Sequence, residues 1–507
     1  MTEKTAGRHP RDCQVVVIGA GIGGLTAGAL LAARGFDVLV LEQAFVPGGC
    51  ASTFKRRGFT FDVGATQVAG LEPGGVHERI FRELGVEPPA ARPCDPACAV
   101  YLPQETEPIC LWRDPERWRA ERIRHFPGSE RFWAKLDQLF ELSWDFNSRE
   151  PLLPPVRPEE YLALAAKLRP RTLLTLPYTL RTVADLLRDY KLADDRRLRR
   201  FLDMQLKLYS TVEADQTAAL YGAVSLGITC DPRGLFHLEG SMQTLSDRLV
   251  EALRQHNGRL LTGQKVTAIH TRHGLAAGVT VHDRRSERDW EVRAAQIVAN
   301  VPVWSLPELA GPALTKNYRE RVDKLPEAPG AFVVYLGVRS EAVPVDCPPH
   351  LQFLYDYDGP VAENNSLFVS VSQPGDGRAP QGCSTIIASS FTDAKAWSAA
   401  ADYTAMKERY TRTAIELLGR YFPDLEAHLV HVEAATPRTF EHFTARPHGF
   451  VGGIGQRPSQ FGPFSLSNRT PVENLWLVGD STHPGEGTAG VSYSALNCVK
   501  LLETSVS

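Results

Sequence analysis

The stretch Val17-Ile18-Gly19-Ala20-Gly21-Ile22-Gly23-Gly24 constrains this chain more than any other. Gly19, Gly21 and Gly24 keep the G-x-G-x-x-G spacing, which on its own is a weak signal. Its surroundings make it a strong one. The apolar run Cys13 to Ile18 leads into it, Leu25 to Ala33 follows with helical composition and stops at Gly35, and a second apolar run from Val38 to Leu41 ends at Glu42. A strand–turn–helix–strand unit of this kind cradles a dinucleotide. Gly19 makes the tight turn, Gly21 lets backbone approach a pyrophosphate, and Gly24 lets helix and strand pack closely. The helix start aims free N–H groups and its positive dipole end at the phosphates. Glu42, 18 residues past Gly24, is placed to accept ribose hydroxyls.

Two further glycine-rich segments bear on which dinucleotide is held. Pro47-Gly48-Gly49-Cys50-Ala51 follows Glu42 directly, and Gly58-Phe59-Thr60-Phe61-Asp62-Val63-Gly64 comes soon after. Paired glycines so close to the ribose carboxylate suggest backbone running along a cofactor; an ordinary surface turn is the alternative. Lys55, Arg56 and Arg57 either neutralise phosphate or stand in solvent. Near the other end, Leu475-Trp476-Leu477-Val478 leads into Gly479-Asp480-Ser481-Thr482-His483-Pro484-Gly485-Glu486-Gly487, followed by Gly490 and Val491. There Asp480 suits the hydroxylated chain of a flavin, and a helix from about Gly490 would aim its N-terminus at the ring end, where negative charge develops on reduction. Two roles are open to His483: contact with flavin or substrate, and ordering of its loop. Glu486 is similarly a polar contact or a solvated carboxylate. Both are weak candidates for catalysis.

The remaining composition sets limits. With 507 residues, 43% of them hydrophobic, the chain can bury a large core and divide into roughly three domains. Its 56 basic and 59 acidic residues give no support for nucleic-acid binding. The nine cysteines are scattered and odd in number, unlike a disulfide framework. Cys94, Cys98 and Cys110 match no metal signature, and a turn with small buried thiols is expected; no metal site is expected elsewhere. Residues 1–12 are polar and basic, unlike a secretory signal. No apolar run reaches the ~18–20 residues that a spanning helix requires.

Along the chain we expect an α/β protein whose Rossmann-like nucleotide domain is assembled from discontinuous segments. A disordered lead covers 1–12. The nucleotide domain takes 13–92, 231–310 and 471–507. A helical, substrate-related and membrane-facing subdomain occupies 93–230, and a mixed-sheet substrate domain 311–470. Arg259 to Leu261, Val266 to His270, Ala277 to His282 and Ala295 to Ala299 read as strands, and the leucines at 245, 249 and 253 mark a helix that Gly258 stops. The aromatic residues between 112 and 146, with Tyr209, Tyr221, Met242 and Phe440, suit either a helical core or the lining of a tunnel.

On the glycine fingerprint with Glu42, Pro47-Gly48-Gly49 and the 479–487 motif, the chain resembles the carotenoid desaturase and isomerase family of FAD-dependent oxidoreductases, within the wider amine-oxidase-like group. The likeness covers nearly the full length. Residues 61–75, Phe-Asp-Val-Gly-Ala-Thr-Gln-Val-Ala-Gly-Leu-Glu-Pro-Gly-Gly, look most like the cyanobacterial-type carotenoid 3',4'-desaturases of myxol-type biosynthesis; carotene cis–trans isomerases carry very similar fingerprints. The resemblance implies non-covalent FAD held by Gly19, Gly21, Gly23, Gly24, Glu42, Gly48, Gly49, Gly64, Val266, Gly479, Asp480, Gly490 and Val491. It also implies a long hydrophobic polyene as substrate and peripheral attachment to the cytoplasmic side of a membrane.

For a desaturase acting on a 1'-hydroxylated monocyclic carotenoid, a hydride would pass from an allylic carbon to flavin N5, a proton would leave the neighbouring carbon, and electrons would then go to a quinone, oxygen or another acceptor. An isomerase would use reduced FAD with no net redox change. A phytoene-desaturase-type or amine-oxidase-like enzyme, or a non-catalytic flavin carrier, would keep the same glycine motifs. For a bilayer contact the segment from Tyr161 to Arg181 stands out, its leucines interleaved with Lys167, Arg169, Arg171 and Arg181 and followed by a basic run through Arg200. A domain-packing helix pair with solvated basic faces is the alternative. Pro170 and Pro177 rule out one long helix there.

Overall fold

A computed structural model describes residues 9–506. Its first sheet is built around the glycine motif. The strand Asp12–Ile18 pairs in parallel with Val38–Glu42 on one side and with Arg288–Ala299 on the other. Arg259–Thr262 extends the first side in parallel, and Leu475–Leu477 adds in parallel to the end of Arg288–Ala299. Gln264–Arg272 and Leu275–Asp283 complete the seven strands as antiparallel neighbours. Val15, Val16, Val17, Val38, Leu39 and Val40 are fully buried, as expected of central parallel strands covered on both faces. The mixed sheet therefore joins three distant parts of the chain.

Helix Ile22–Ala33 covers one face of this sheet. It is apolar on every side, and it is packed by the C-terminal helix Thr488–Val506 and by Gln243–Gln255. The first strand begins at Asp12, one residue before the expected start. Residues 1–8 of the expected disordered lead lie outside the described residues, but His9 stacks on Trp290 with ring centroids 4.3 Å apart. The short strand expected at 295–299 is the end of a twelve-residue strand, because Asp289 to Arg293 pair with the neighbouring hairpin strand although their side chains alternate with solvent.

A second seven-stranded sheet runs Leu429–Ala435, Gly330–Arg339, Cys383–Thr392, Ser366–Val371, His350–Leu354, Ala99–Tyr101 and Ile109–Cys110. It is antiparallel except where His350–Leu354 meets Ala99–Tyr101. The stretch 93–230 thus lends two strands to this sheet before turning helical. Its helices include Pro115–His125, Glu130–Asn147, Arg196–Ser210 and Ala219–Thr229. Their shared core takes Trp118, Phe126, Phe132 and Trp133. Cys94 and Cys98 are buried in that core, and burial pushes the Cys94 thiol up to about 12.

A buried ionic cluster ties a loop of the second sheet to the hairpin Thr53–Arg56 and Phe59–Asp62 and to the helix that packs on the first sheet. Arg378 pairs with Asp62 and with Asp376, the latter at 3.5 Å. Asp62 also accepts from the Met242 backbone at 2.8 Å and from Thr53 Oγ1 at 3.2 Å. Asp62 lies one residue before the Val63–Gly64 step, and the cluster fixes that step against the start of helix Gln243–Gln255.

Candidate functional site

Three strands of the first sheet end side by side, and each runs into a loop. Ile18 leads to Gly19, Ala299 to Asn300, and Leu477 through Val478 to Gly479. Gly19 and Gly479 take φ of 90° and 105°, values that favour glycine. Asn300 is wedged between these loops. Its backbone N–H donates to Ile18 O at 2.9 Å, and a Cβ added at Gly23 or at Gly479 would fall 2.9 Å from its Oδ1. Gly48 completes the arrangement: its N–H donates to Ala20 O at 2.8 Å. The glycine motif, the 47–49 turn and the tail loop therefore meet at one place.

They meet on a cavity of about 1660 Å³. Its lining includes Gly19, Gly21, Gly23, Glu42, Gly48, Gly49, Gly64, Val266, Gly479, Asp480, Gly490 and Val491, together with His483 and Glu486. Gly24 stands just behind the lining. A Cβ there would come within 2.0 Å of Gly19 O, so Gly24 sets how tightly the helix packs on the turn. Single small ligands occupy pockets of ~300–1,000 Å³, so this one has room for a dinucleotide and a second large molecule.

The residues present fit a dinucleotide. Gly21 caps helix Ile22–Ala33 without a side-chain hydrogen bond, which leaves the first-turn N–H groups for an anion. Glu42 is buried at the strand end. Its Oε2 accepts from Ala20 N at 2.7 Å and its Oε1 from Ala44 N at 2.8 Å, and burial raises its pKa. Each carboxylate oxygen keeps a lone pair for a further donor. Ser246 Oγ, buried without a partner among the described residues, lies 2.8 Å from where a Cβ on Gly48 would sit. Of the basic trio, Arg56 reaches the lining, where it also pairs with Glu433 at 3.3 Å; Lys55 and Arg57 stay outside it.

Two parts of the site carry no mark in the glycine motifs. Arg446 donates to Asp480 Oδ2 at 2.7 Å and to the Phe450 carbonyl at 2.5 Å. It sits in an irregular turn 34 residues before its partner, so no local pattern reveals it. The segment Gly452-Gly453 folds onto the tail loop. A Cβ on Gly453 would lie 2.0 Å from Asp480 O, and one on Gly452 would lie 2.5 Å from Glu486 Oε2. That segment was visible in the sequence as another glycine pair. Asn300 too had a signal, because it ends an apolar run as Gly19 and Gly479 do.

His483 and Glu486 each leave a buried atom without a hydrogen-bond partner among the described residues, Nδ1 and Oε1 respectively. Burial lowers the His483 pKa to about 4, which keeps the ring neutral. Glu486 is half-buried, and its open side lines the cavity. Burial and the neighbouring Asp480 push its carboxyl up to about 8, with Arg446 opposing.

Beyond the glycine loops the lining turns apolar. Leu208, Tyr209, Tyr221, Val224 and Ile228 come from the helical region, and Ala331, Val333, Tyr335, Phe368 and Phe391 from the second sheet. Of the aromatic residues between 112 and 146, only Trp144 joins them. Tyr209, Tyr221 and Phe440 are lining residues, whereas Met242 is fully buried in the core.

This α/β fold, with its discontinuous mixed sheet, is an FAD-binding oxidoreductase fold, and the chain is an FAD-dependent oxidoreductase-type enzyme. The model of the family described as flavin containing amine oxidoreductase matches residues 22–501, and the chain belongs to that family. Among curated relatives, prolycopene isomerase 1 of an Oncidium hybrid cultivar is 29% identical over 96% of this chain and 83% of its own length. The zeta-carotene-forming phytoene desaturase of Myxococcus xanthus is also 29% identical, over 98% of this chain and 94% of its own. Among solved structures, the cyclohexylamine oxidase of Brevibacterium oxydans IH-35A shares the fold at a TM-score of 0.62 and 19% identity, covering 97% of this chain and 100% of that one.

Proposed function

We propose that this chain isomerises a double bond of a long, carotenoid-type polyene, with FAD in its reduced state bound between the glycine turn and the tail loop. The observation that carries the reading is the single cavity: glycine loops suited to a dinucleotide pass without a break into an apolar arm. In it, the first turn of helix Ile22–Ala33 would hold the pyrophosphate, Glu42 the adenosine ribose, and Asp480, aimed by Arg446, the hydroxylated chain. Val266 would flank the adenine side, and the start of helix Thr488–Val506 would face the ring. When bound, reduced FAD supplies electron density that stabilises positive charge on a neighbouring polyene. The protein's share is a dry, oriented site.

The substrate would arrive from lipid. No helix among the described residues is long and apolar enough to cross a membrane, but an exposed apolar face is present. Tyr161, Leu162, Leu173, Leu174, Leu176 and Leu180 all point outward, with Leu162 at 74% and Leu180 at 69% exposure. They lie on helix Pro158–Lys167, on the 3₁₀ turn Pro170–Tyr178 and just beyond it. A patch of this kind marks an interaction surface. It adjoins the cavity: Asn147 and Ser148 are lining residues, and the next residue, Arg149, donates to Lys167 O at 2.8 Å and to Thr172 Oγ1 at 3.1 Å. The basic run that follows adds little to this face. Arg181, Arg188, Arg196, Arg197, Arg199 and Arg200 pair with acidic residues of the chain itself. We therefore propose peripheral attachment to a membrane through this apolar face.

A second reading is desaturation, including the 3',4' reaction on a 1'-hydroxylated carotenoid. The Myxococcus relative, at the same identity as the Oncidium isomerase, supports it. It requires oxidised FAD at the start and an acceptor, a quinone or oxygen, for the electrons. The test is to supply the FAD-loaded protein with a poly-cis carotene, and separately with 1'-hydroxy-γ-carotene, in lipid vesicles. Isomerisation gives product of unchanged mass under reducing, oxygen-free conditions. No isomerisation there, but loss of two hydrogens with a red-shifted spectrum when oxidised FAD and a quinone are supplied, would overturn isomerisation in favour of desaturation.

A further inference from the structure

The isomerase reading leaves open what moves the electrons of a double bond that is to rotate. The tail loop offers one group for this. Glu486 sits where that loop meets the helical side of the cavity: a Cβ on Gly452 would touch both Glu486 Oε2, at 2.5 Å, and Thr211 Cγ2, at 2.6 Å. Arg446, the nearest cation, is committed to Asp480 and to the carbonyls of Phe450 and Gly452. Tyr221, facing Glu486 from helix Ala219–Thr229, donates its hydroxyl to Tyr209 O at 2.5 Å. His483, on the same loop, is neutral. Among the described residues, Glu486 is thus a cavity carboxyl with no counter-ion of its own and with a buried Oε1 that lacks a partner.

We propose that Glu486 is the proton-lending group of the site, a neutral carboxylic acid that protonates one end of a polyene double bond and afterwards takes a proton back from the same carbon. The step balances without oxidant or reductant. The O–H bond of Glu486 breaks, the π electrons form a C–H bond, and the positive charge spreads along the remaining conjugated chain. The former double bond is now single and turns. The Glu486 carboxylate then removes a hydrogen, and the π bond re-forms. The upward push on this carboxyl, to about 8, keeps the proton in place at neutral pH.

Geometry adds a distinctive consequence. Glu486 reaches the chain from one face. It is the protonated carbon, with the end of the chain it carries, that turns, and the rotation that inverts the double bond then brings that carbon's original hydrogen to the same face. Glu486 therefore removes that original hydrogen and leaves the added one. Rotation and exchange are coupled.

The proposal rests on the isomerase reading, and its test separates the two. The FAD-loaded protein is reduced in D₂O and given a poly-cis carotene in lipid vesicles. Isomerised product carrying one deuterium per inverted bond is expected. Isomerised product without deuterium would overturn the role of Glu486 and leave isomerisation standing; no isomerisation with reduced FAD, with loss of two hydrogens once oxidised FAD and a quinone are supplied, would overturn both. E486Q should keep its flavin spectrum and lose roughly 100-fold or more of the isomerisation rate, the range of general acid–base catalysis; an undiminished rate would overturn the proposal. A further readout needs neither substrate nor cofactor. Infrared spectra of the FAD-free wild-type protein should show a protonated-carboxyl C=O band at neutral pH that fades as pH rises through about 8 and is missing from E486Q. Its absence at neutral pH in the wild type would refute the assignment.

Discussion

The substitution Gly24→Ala tests how the glycine turn works. The new methyl carbon would sit 2.0 Å from Gly19 O, a backbone atom, whereas real Cβ contacts stay beyond about 3.0 Å. Helix Ile22–Ala33 must then retreat by about 1 Å, or the turn at Gly19 must open by as much. Overpacking of this sort costs ~1–3 kcal/mol. The atoms displaced are the ones that would face the pyrophosphate, so part of the cost should fall on cofactor binding as well as on stability. With each ~1.4 kcal/mol worth a factor of ten, FAD affinity should drop roughly tenfold to a hundredfold. Fluorescence titration of the FAD-free protein measures this, and urea melts with and without FAD measure the stability. Gly274→Ala is the control. It has φ of 82° but nothing within 4 Å of the added carbon, so it should cost ~1–2 kcal/mol of left-handed strain and leave FAD affinity unchanged. Wild-type affinity and stability in Gly24→Ala would refute the close packing of helix on turn.

Two other expectations follow from the fold. Changing Leu162, Leu176 and Leu180 together to Ser should cut sedimentation with anionic lipid vesicles by at least ~100-fold, since each leucine buried in lipid contributes ~1.5–3 kcal/mol; flavin content should not change, and unaltered sedimentation would place the lipid contact elsewhere. Arg378→Met should destabilise the protein by about 3–5 kcal/mol in urea melts, because it strands the Asp62 carboxylate in the interior; a loss under ~1 kcal/mol would show that Asp62 is satisfied without it.

The local part of the site was legible in the sequence because it is made by local rules. Strand, glycine turn, helix and Glu42 lie within some thirty residues, and the tail motif likewise carries its own strand and helix. What the residues could not reveal was which distant groups lean on them. Arg446 meets Asp480 only through tertiary folding. Asn300 had the right position at a strand end, but its wedge between Gly19 and Gly479 needs the parallel order of three strands. The strand ending at Ala299 looked short because charged residues alternate along its solvent-facing half. The basic run from Arg181 to Arg200 looked like a lipid-facing surface until its acidic partners, such as Glu105 and Asp358, came into view from elsewhere in the chain. The aromatic residues stayed open between core and tunnel lining for a related reason: helical periodicity marks buried positions, and Trp118 and Trp144 are told apart only by what the helices pack against.

Convergence of the N-terminal turn and the C-terminal loop on a single flavin is the claim from which the rest follows. Titrating the FAD-free protein with FAD, and following the flavin absorption of the protein after removal of free cofactor, measures it directly. The account predicts saturation at one FAD per chain, with loss of retained flavin both in a variant that places Val at position 21 and in one that replaces Asp480 by Ala. A protein that retains no flavin, or one in which only one of those two changes matters, would contradict it.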